Sequence, residues 1–111
     1  YTIVEIMPEF PGGEESRNQY LAQNIYYPIA AAQNGIEGTV YVSFVVDKNG
    51  DVRNVKILRG IGGGCDEESV RVVKRMPKWK PGTQNGKPVN VLFNMPITYV
   101  LSNSTKSGNR K

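Results

Sequence analysis

The stretch GTVYVSFVVDKNGDVRNVKILRG, residues 38–60, decides the fold of this 111-residue chain. Apolar residues recur at every second position from Val40 to Val46, which is the period of a β-strand. Polar residues 47–50 interrupt the pattern, and Gly50 can take the positive φ of a tight turn. Apolar residues return from Val52 to Leu58 with imperfect alternation, which predicts a bulge or a two-sided edge. The stretch therefore predicts a β-hairpin.

Three helices are predicted around this hairpin. Acidic residues open the segment Glu14–Asn24, where the helix dipole favours them, and Tyr20 and Leu21 are expected to face inward. Pro28 suits the first position of a short second helix. Asp66 is a suitable N-cap for a third helix, which Pro77 ends.

One more strand follows the third helix. Apolar residues recur at every second position from Val89 to Ile97. The order of helices, hairpin, helix and strand predicts an α+β domain: a three-stranded antiparallel sheet with helices packed on one face. We expect a short extended segment over residues 1–12, the domain over 13–101, and a flexible polar tail over 102–111, which contains no apolar residue.

The composition argues against an enzyme. The chain has no histidine, so no Ser-His or Cys-His dyad can form and the usual zinc ligand sets are absent. The single cysteine, Cys65, is expected to be a small buried residue rather than a nucleophile. We therefore predict no catalytic residue, no metal and no cofactor.

Charge is divided unequally along the chain. Residues 1–47 hold six acids against Arg17 alone, whereas residues 48–111 hold 13 bases against four acids. A basic half indicates an acidic or phosphate-bearing partner without identifying it. No apolar run approaches the roughly 20 residues that cross a bilayer. Because the chain starts at Tyr1 without a signal-peptide pattern, we expect a fragment of a longer protein.

Three motifs suggest chemistry, and each has a simpler explanation. The glycine-rich run 60–64 could cradle a phosphate, but three acids follow it, so a flexible connector is favoured. Those acids, residues 66–68, could act as an acid/base cluster, but helix capping accounts for them. Lys78-Trp79-Lys80 could stack a base, but a lone tryptophan after a helix is more often part of the core.

The last strand is the remaining candidate for a working surface. Pro88 precedes it and Pro96 lies near its end, and proline is largely confined to sheet edges and strand ends. Val89–Met95 is therefore predicted to be a sheet edge without an inward charge to blunt it, which suggests a partner or a dimer. The alternative is an edge covered by the tail or by the N-terminal segment.

The ordered set of motifs resembles the C-terminal domain of TonB, the energy-transducing family of Gram-negative cell envelopes. Two stretches carry the resemblance: YYPIAAAQNGIEGTVYVSFVVDKNGDVRNVKILRG, residues 26–60, and DEESVRVVKRMPKWKPGTQNGKPVNVLFNMPITYVL, residues 66–101. MPEFPGG, residues 7–13, is similar to a common variant of the family. The matching features are Tyr27-Pro28, Gly38, Asn49-Gly50-Asp51-Val52, Trp79 before Pro81-Gly82, and Val89-Asn90-Val91 before Phe93.

The resemblance implies a periplasmic domain of an inner-membrane-anchored protein. It implies binding, by strand addition, to the TonB box, an N-terminal segment of outer-membrane transporters, and coupling of proton motive force to nutrient uptake. Proton-channel partners of the ExbB/ExbD type would act through the upstream region, peptidoglycan stays open as a further partner, and no nucleic acid is expected. The implied partner-binding residues are Lys87, Val89, Asn90, Val91, Leu92, Phe93, Asn94 and Met95.

Two other functions stay open at this point. One is an envelope-binding module that grips cell wall through the basic half and Trp79. The other is a TonB-like domain fused to a sensor or a protease, in which the edge binds a partner in its own membrane.

Overall fold

The structure is a computed structural model that describes residues 5–101. Residues 1–4 and the predicted tail 102–111 lie outside the described residues, and the proposed domain division stays a prediction. The elements are, in chain order, α1 Glu14–Asn24, α2 Ile29–Gln33, β1 Gly38–Val46, β2 Val52–Arg59, α3 Cys65–Lys74, β3 Gly82–Gln84, β4 Lys87–Val89 and β5 Val91–Tyr99.

The main sheet has three antiparallel strands in the order β2-β1-β5. Alternate residues of β1 from Val40 to Val46 are fully buried, and Met95 and Ile97 of β5 lie opposite two of them. α3 packs against β2 and β1, while Leu21 of α1 packs against the same core. The predicted α+β fold, with helices on one face of a three-stranded sheet, is confirmed.

The β1–β2 hairpin and its irregular second strand are confirmed. The turn is closed by hydrogen bonds from the Asp47 N–H to the Asp51 carbonyl (2.9 Å) and from the Gly50 N–H to the Asp47 carbonyl (2.8 Å). The pairing register of β2 shifts twice along its length, and Asn54 has a φ of 54°. Each shift inserts one extra residue into β2, which is the geometry of a β-bulge.

α1 has the predicted bounds, whereas α3 starts earlier than predicted. Its N-cap is Gly64, which has a φ of 92°, so the prediction that Asp66 is the N-cap is wrong. The left-handed conformation, available to glycine, turns the chain into the helix before Asp66 is reached. The Asp66 Oδ1 instead accepts hydrogen bonds from the N–H groups of Ile61 (2.9 Å) and Gly62 (3.3 Å). Asp66 thereby ties down the glycine-rich connector.

The predicted last strand is confirmed, but its predicted start at Val89 is wrong, because the chain leaves one sheet and enters another at Asn90. β4 pairs with β3 in a separate two-stranded sheet, and β5 begins only at Val91. Asn85 and Gly86 join β3 to β4 with φ angles of 53° and 75°. Positive φ at both loop residues defines the two-residue turn that Asn-Gly favours. That dipeptide is the sequence signal which the strand prediction overlooked.

The N-terminal segment is extended, as predicted, and pairs with the β3 side of the small sheet. The N–H of Glu9 donates to the Lys80 carbonyl (2.9 Å), and the N–H of Lys80 donates back to Glu9 (2.7 Å). Ile6 and Thr83 form a second antiparallel bridge. Residues 5–9 of this segment therefore do not cover β5, where coverage by the N-terminal segment was one alternative for the predicted edge.

Trp79 lies in the core at one end of the sheet, with only 3% of its surface exposed. Its ring makes edge contacts with Phe10, Phe44 and Phe93 at centroid distances of 5.8, 5.5 and 5.2 Å. Its backbone N–H donates to the Gly50 carbonyl (2.8 Å). A Cβ on Gly50 would lie 2.1 Å from the Trp79 carbonyl oxygen, so only glycine fits there. The predicted core position of Trp79 is confirmed.

The other end of the core is closed by a small polar cluster. The hydroxyls of Tyr99 and Ser69 lie 3.0 Å apart, and both contact the Cys65 carbonyl, at 3.2 and 2.8 Å. Burial raises the pKa of Tyr99 to about 12. Burial also raises the pKa of the Cys65 thiol, which is fully inaccessible, so the predicted buried position of Cys65 is confirmed.

Candidate functional site: the outer edge of β5

β5 lies at one edge of the three-stranded sheet and pairs only with β1 among residues 5–101. The structure divides the predicted partner-binding residues into three groups. Val91, Leu92, Phe93, Asn94 and Met95 lie on this edge strand. Lys87 and Val89 belong to β4 in the other sheet, so their assignment to the edge strand is wrong.

Asn90 stands between the two sheets and has a structural contact. Its side-chain Oδ1 accepts a hydrogen bond from the Lys48 N–H in the β1–β2 turn, at 2.9 Å. This bond fixes the start of β5 against the hairpin. The sequence pattern placed Asn90 inside a regular strand. It could not reveal this contact, because the partner lies 42 residues away in the sequence.

Pro96 identifies which backbone groups of β5 face outward. In an antiparallel pair, successive residues alternate between pointing N–H and C=O at the partner strand and pointing both away. Pro96 pairs with Tyr41 inside the ladder and has no N–H to donate. We therefore assign Pro96 to the outward set, and the same alternation places the N–H and C=O of Leu92, Asn94 and Thr98 there.

The side chains of β5 divide with the same period. Val91, Met95, Ile97 and Tyr99 are buried on the helical side of the sheet. Leu92, Asn94, Pro96 and Thr98 are exposed on the opposite side, and Leu92 leaves 50% of its surface in water. A strand that added to β5 would present its own side chains alternately to the helices and to solvent.

The edge is regular and uncharged. All nine residues of β5 pair with β1 without a register shift. The strand VLFNMPITY contains neither a bulge nor a charged residue. Bulges and charges are the usual means by which proteins blunt sheet edges against further pairing. β5 carries only Pro96 as an interruption.

A groove runs between the β5 edge and α1. It has a volume of about 360 Å³. α1 contributes Asn18, Leu21 and Ala22, its C-cap residue Ile25 completes that wall, and β5 contributes residues 96–98. Sequence reasoning predicted that Leu21 faces inward but missed the groove, since no local signal says which strand a helix will border. None of the lining residues is charged.

Basic residues stand near the start of β5. Lys80 and Lys87 are exposed on the small sheet. Lys78 is also exposed, and its Nζ lies 3.4 Å from Asp51 Oδ1, so its charge is partly balanced. These side chains are the ones that sequence reasoning expected to favour an acidic segment.

Two of the three acids at the start of α3, Asp66 and Glu68, have structural partners. The Glu68 carboxylate lies 2.7 Å from Arg71 Nη2 and accepts the Tyr26 N–H at 2.8 Å. The hydrogen bond from Arg71 lowers the pKa of Glu68. Over residues 5–101, no group of three or more His, Cys, Asp or Glu side chains is placed to hold a metal ion.

The burial of Trp79 bears on the cell-wall alternative. A tryptophan that grips a glycan must expose a ring face, whereas Trp79 is covered by Phe10, Phe44 and Phe93. Trp79 is therefore not available to bind a glycan, and the cell-wall hypothesis loses its aromatic contact.

Within the described residues, no helix combines the length and the apolar character that membrane crossing requires.

The fold and the edge together define a small α+β domain with one regular, unblunted strand at the border of its sheet. A family model described as "Gram-negative bacterial TonB protein C-terminal" matches residues 23–101. The match covers well over half of the chain. The chain belongs to the TonB C-terminal family.

The relatives agree with this assignment. The chain is 41% identical over 54 residues to Protein TonB of Yersinia enterocolitica, a match covering 49% of this chain and 20% of that protein. The chain thus spans about a fifth of the length of that relative.

Two solved structures have a similar fold. Both are solution NMR structures of the Helicobacter pylori TonB C-terminal domain. The one of residues 194–285 has a TM-score of 0.59 at 22% identity, covering 79% of this chain and 92% of that chain. The longer one, residues 179–285, has a TM-score of 0.57 at 24% identity and covers 77% of each chain.

Proposed function

We propose that this chain captures an extended peptide segment as an added strand on the outer edge of β5. The observation that carries the proposal is the regular, uncharged edge of β5, with outward backbone groups at Leu92, Asn94 and Thr98. Open edges of this kind recruit strands through main-chain hydrogen bonds, while side-chain pockets supply specificity.

The family membership supports a specific partner. We propose that the segment is the TonB box of an outer-membrane transporter, and that the chain is the periplasmic part of a TonB-type energy transducer. In this scheme an upstream anchor in the inner membrane and ExbB/ExbD-type partners supply motion derived from the proton gradient. The chain itself performs no catalysis and needs no cofactor or metal.

The expected affinity suits a partner that is pulled and released. A main-chain hydrogen bond contributes about 0.5–1.5 kcal/mol net, and the captured segment loses conformational entropy when it is ordered. Pro96 removes one donor from the edge, so the added ladder is interrupted there. Modest binding follows. Exposed Lys80 and Lys87 near the start of β5 favour segments with acidic residues.

The proposal is tested by titrating the ¹⁵N-labelled chain with synthetic peptides from the N-termini of TonB-dependent transporters. We expect shifts of the Leu92, Asn94 and Thr98 amide signals at saturating peptide. The matched variants are Asn94→Pro, which removes an outward amide, and Asn94→Ala, which removes only the side chain. Because the bonds are to backbone, Asn94→Pro should weaken binding by at least the roughly 2- to 12-fold equivalent of one main-chain hydrogen bond, and Asn94→Ala by about twofold or less.

Two results would contradict the proposal. One is unchanged peptide affinity in folded Asn94→Pro and Leu92→Pro chains. The other is a set of peptide-induced shifts along Val52–Arg59, which would place the added strand on β2 instead.

A further inference from the structure

The groove between α1 and β5 continues directly from the open edge. Leu21 and Ile25 pack against the core on the same side of the sheet as Ile97. A strand paired with β5 would lie about 4.8 Å beyond it, in the sheet plane. Every second side chain of that strand would therefore face α1 across the groove.

We infer that this groove is the specificity pocket of the strand-addition site, and that it takes an uncharged aliphatic side chain from the helix-facing side of the captured segment. The inference rests on the proposed strand addition to β5. It goes further by naming the side-chain class that the site selects and the residues of α1 that select it.

The chemistry of the lining supports an aliphatic occupant. Leu21, Ala22 and Ile25 supply the apolar wall, and neither helix nor strand contributes a charge. A charged side chain placed there would lose hydration without gaining a partner, which is costly. An aliphatic side chain would gain by burial. The volume of about 360 Å³ is near the lower end for ligand pockets, so the groove has room for one or two side chains.

The described parts of this chain leave the groove for a partner. Residues 5–9 are engaged elsewhere, since Ile6 and Glu9 pair with Thr83 and Lys80. The ten residues after Leu101 read SNSTKSGNRK and offer no apolar side chain for such a groove. An apolar side chain from a separate peptide fits the lining better than residues 5–9, which are paired elsewhere, or the polar residues after Leu101.

Ala22 is the residue on which selection is expected to depend. It is exposed on α1 and has the smallest side chain in the lining, so it leaves space that a larger residue would fill. Gln23 is its neighbour, is also exposed, and does not line the groove. Ala22→Trp and Gln23→Trp therefore add the same bulk to one helix, inside and outside the pocket.

The experiment uses the full 111-residue chain and the tightest-binding peptide of the transporter panel. Each peptide position is replaced in turn by Glu, Ala and Leu, and affinity is measured by calorimetry. We expect Glu to weaken binding about tenfold or more at alternate positions only, because burial of an aliphatic side chain accounts for roughly that factor. Ala22→Trp should weaken binding by a similar factor and remove the alternation, whereas Gln23→Trp should change little.

A second variant, Ala22→Leu, tests the same pocket if Ala22→Trp fails to fold. It should reverse the preference at the helix-facing positions from Leu to Ala. The inference is overturned if the Glu scan shows no alternation, or if the two tryptophan variants weaken binding equally, while the β5 amides still shift with peptide. In those cases strand addition stands without the pocket. If no peptide shifts the β5 amides, both proposals fall together.

Discussion

The two edges of the main sheet flank the same central strand but differ in almost every property that controls further pairing. β2 shifts register twice against β1, and its exposed face carries Arg53, Lys56 and Arg59. β5 pairs over nine residues without a shift and carries no charge. Bulges and basic residues are known means of blocking an edge. Among residues 5–101, one edge of the sheet is therefore blocked and the other is left open.

The contrast shows that openness at β5 is a property of its sequence rather than of the fold. Both strands lie at sheet borders and both contribute to one core, since Ile57 of β2 and Met95 of β5 lie opposite Val42. A blunted strand at either border is thus compatible with this architecture. That only β2 is blunted supports a role for β5 in binding.

The largest effect on stability is expected at Trp79, which contacts elements of both edges of the sheet. Trp79 contacts Phe93 of β5 through its ring and the turn before β2 through its backbone. Trp79→Ala should lower the free energy of unfolding by about 3–5 kcal/mol, as truncation of a buried aromatic does. Thermal and urea denaturation measure it, with Trp79→Phe as the milder control. An unchanged melting temperature together with lost peptide binding would show instead that Trp79 is a contact residue.

A smaller effect on stability is expected to distinguish the β5 amides that point at β1 from those that point outward. The Met95 amide points at β1, whereas the Asn94 amide points outward. Met95→Pro should therefore be less stable than Met95→Ala by about 1–3 kcal/mol, since it leaves a buried carbonyl unpaired. Asn94→Pro should differ far less from Asn94→Ala in urea denaturation. Equal proline penalties at the two positions would contradict the assigned alternation.

A still smaller effect, on peptide affinity, is expected from a substitution that makes the β5 edge more open to pairing and so increases its difference from β2. Pro96 lies in the ladder without an N–H, so Pro96→Thr adds one outward donor to the edge. Peptide affinity should then increase by roughly 2- to 12-fold, equivalent to one main-chain hydrogen bond of about 0.5–1.5 kcal/mol. Calorimetry with the same peptide measures the gain. A matched change in the small sheet, Pro88→Thr, adds no donor to the β5 edge and is the control that should leave affinity unaltered.

Lowering the pH is expected to weaken the contacts of the β1–β2 hairpin, where Asp47 lies, rather than those of β5. Asp47 is buried, and its carboxylate accepts hydrogen bonds from Arg53 Nε and from the N–H groups of Asn49 and Asp51. The bond from Arg53 lowers the pKa of Asp47 below its ordinary value of 3.8. β5 carries no acidic group.

Because the folded-state pKa of Asp47 is depressed, its ionised form stabilises the fold at neutral pH. That contribution decreases below an ordinary carboxylate pKa and is lost as pH falls through the folded-state value. Asp47→Asn should therefore be less stable than the parent at pH 7, with the difference shrinking towards pH 2. Urea denaturation at several pH values measures it. Asp51→Asn, whose partner Lys78 is exposed, is the control and should show a much smaller difference.

Local signals were sufficient for some elements. The bounds of α1 and the hairpin turn follow from residues that are adjacent in sequence: acids at a helix start, and Gly50 in a turn. The irregular alternation of β2 predicted its bulges. The Asn85-Gly86 turn is an equally local signal, which the strand prediction overlooked.

The groove between α1 and β5 could not be predicted from local sequence signals. The position of α1 depends on contacts with α3 across long sequence separations. The Tyr20 hydroxyl donates to the Val72 carbonyl at 2.9 Å, and Arg71 Nη2 donates to the Asn24 carbonyl at the same distance. These contacts join residues 52 and 47 positions apart. Neither amphipathicity nor capping contains that information, so the pocket beside β5 emerges only from tertiary packing.

The pairing of Glu5–Glu9 with β3 has a mechanical consequence. Before α1 begins, the chain is hydrogen-bonded to Thr83 of the small sheet and to Lys80, which precedes that sheet. Tension applied from the N-terminal side therefore loads these backbone hydrogen bonds first. It next reaches Phe10, whose ring lies 5.8 Å from that of Trp79, which in turn contacts Phe93 of β5. A pull on the chain is conveyed to the open edge through a short row of packed rings.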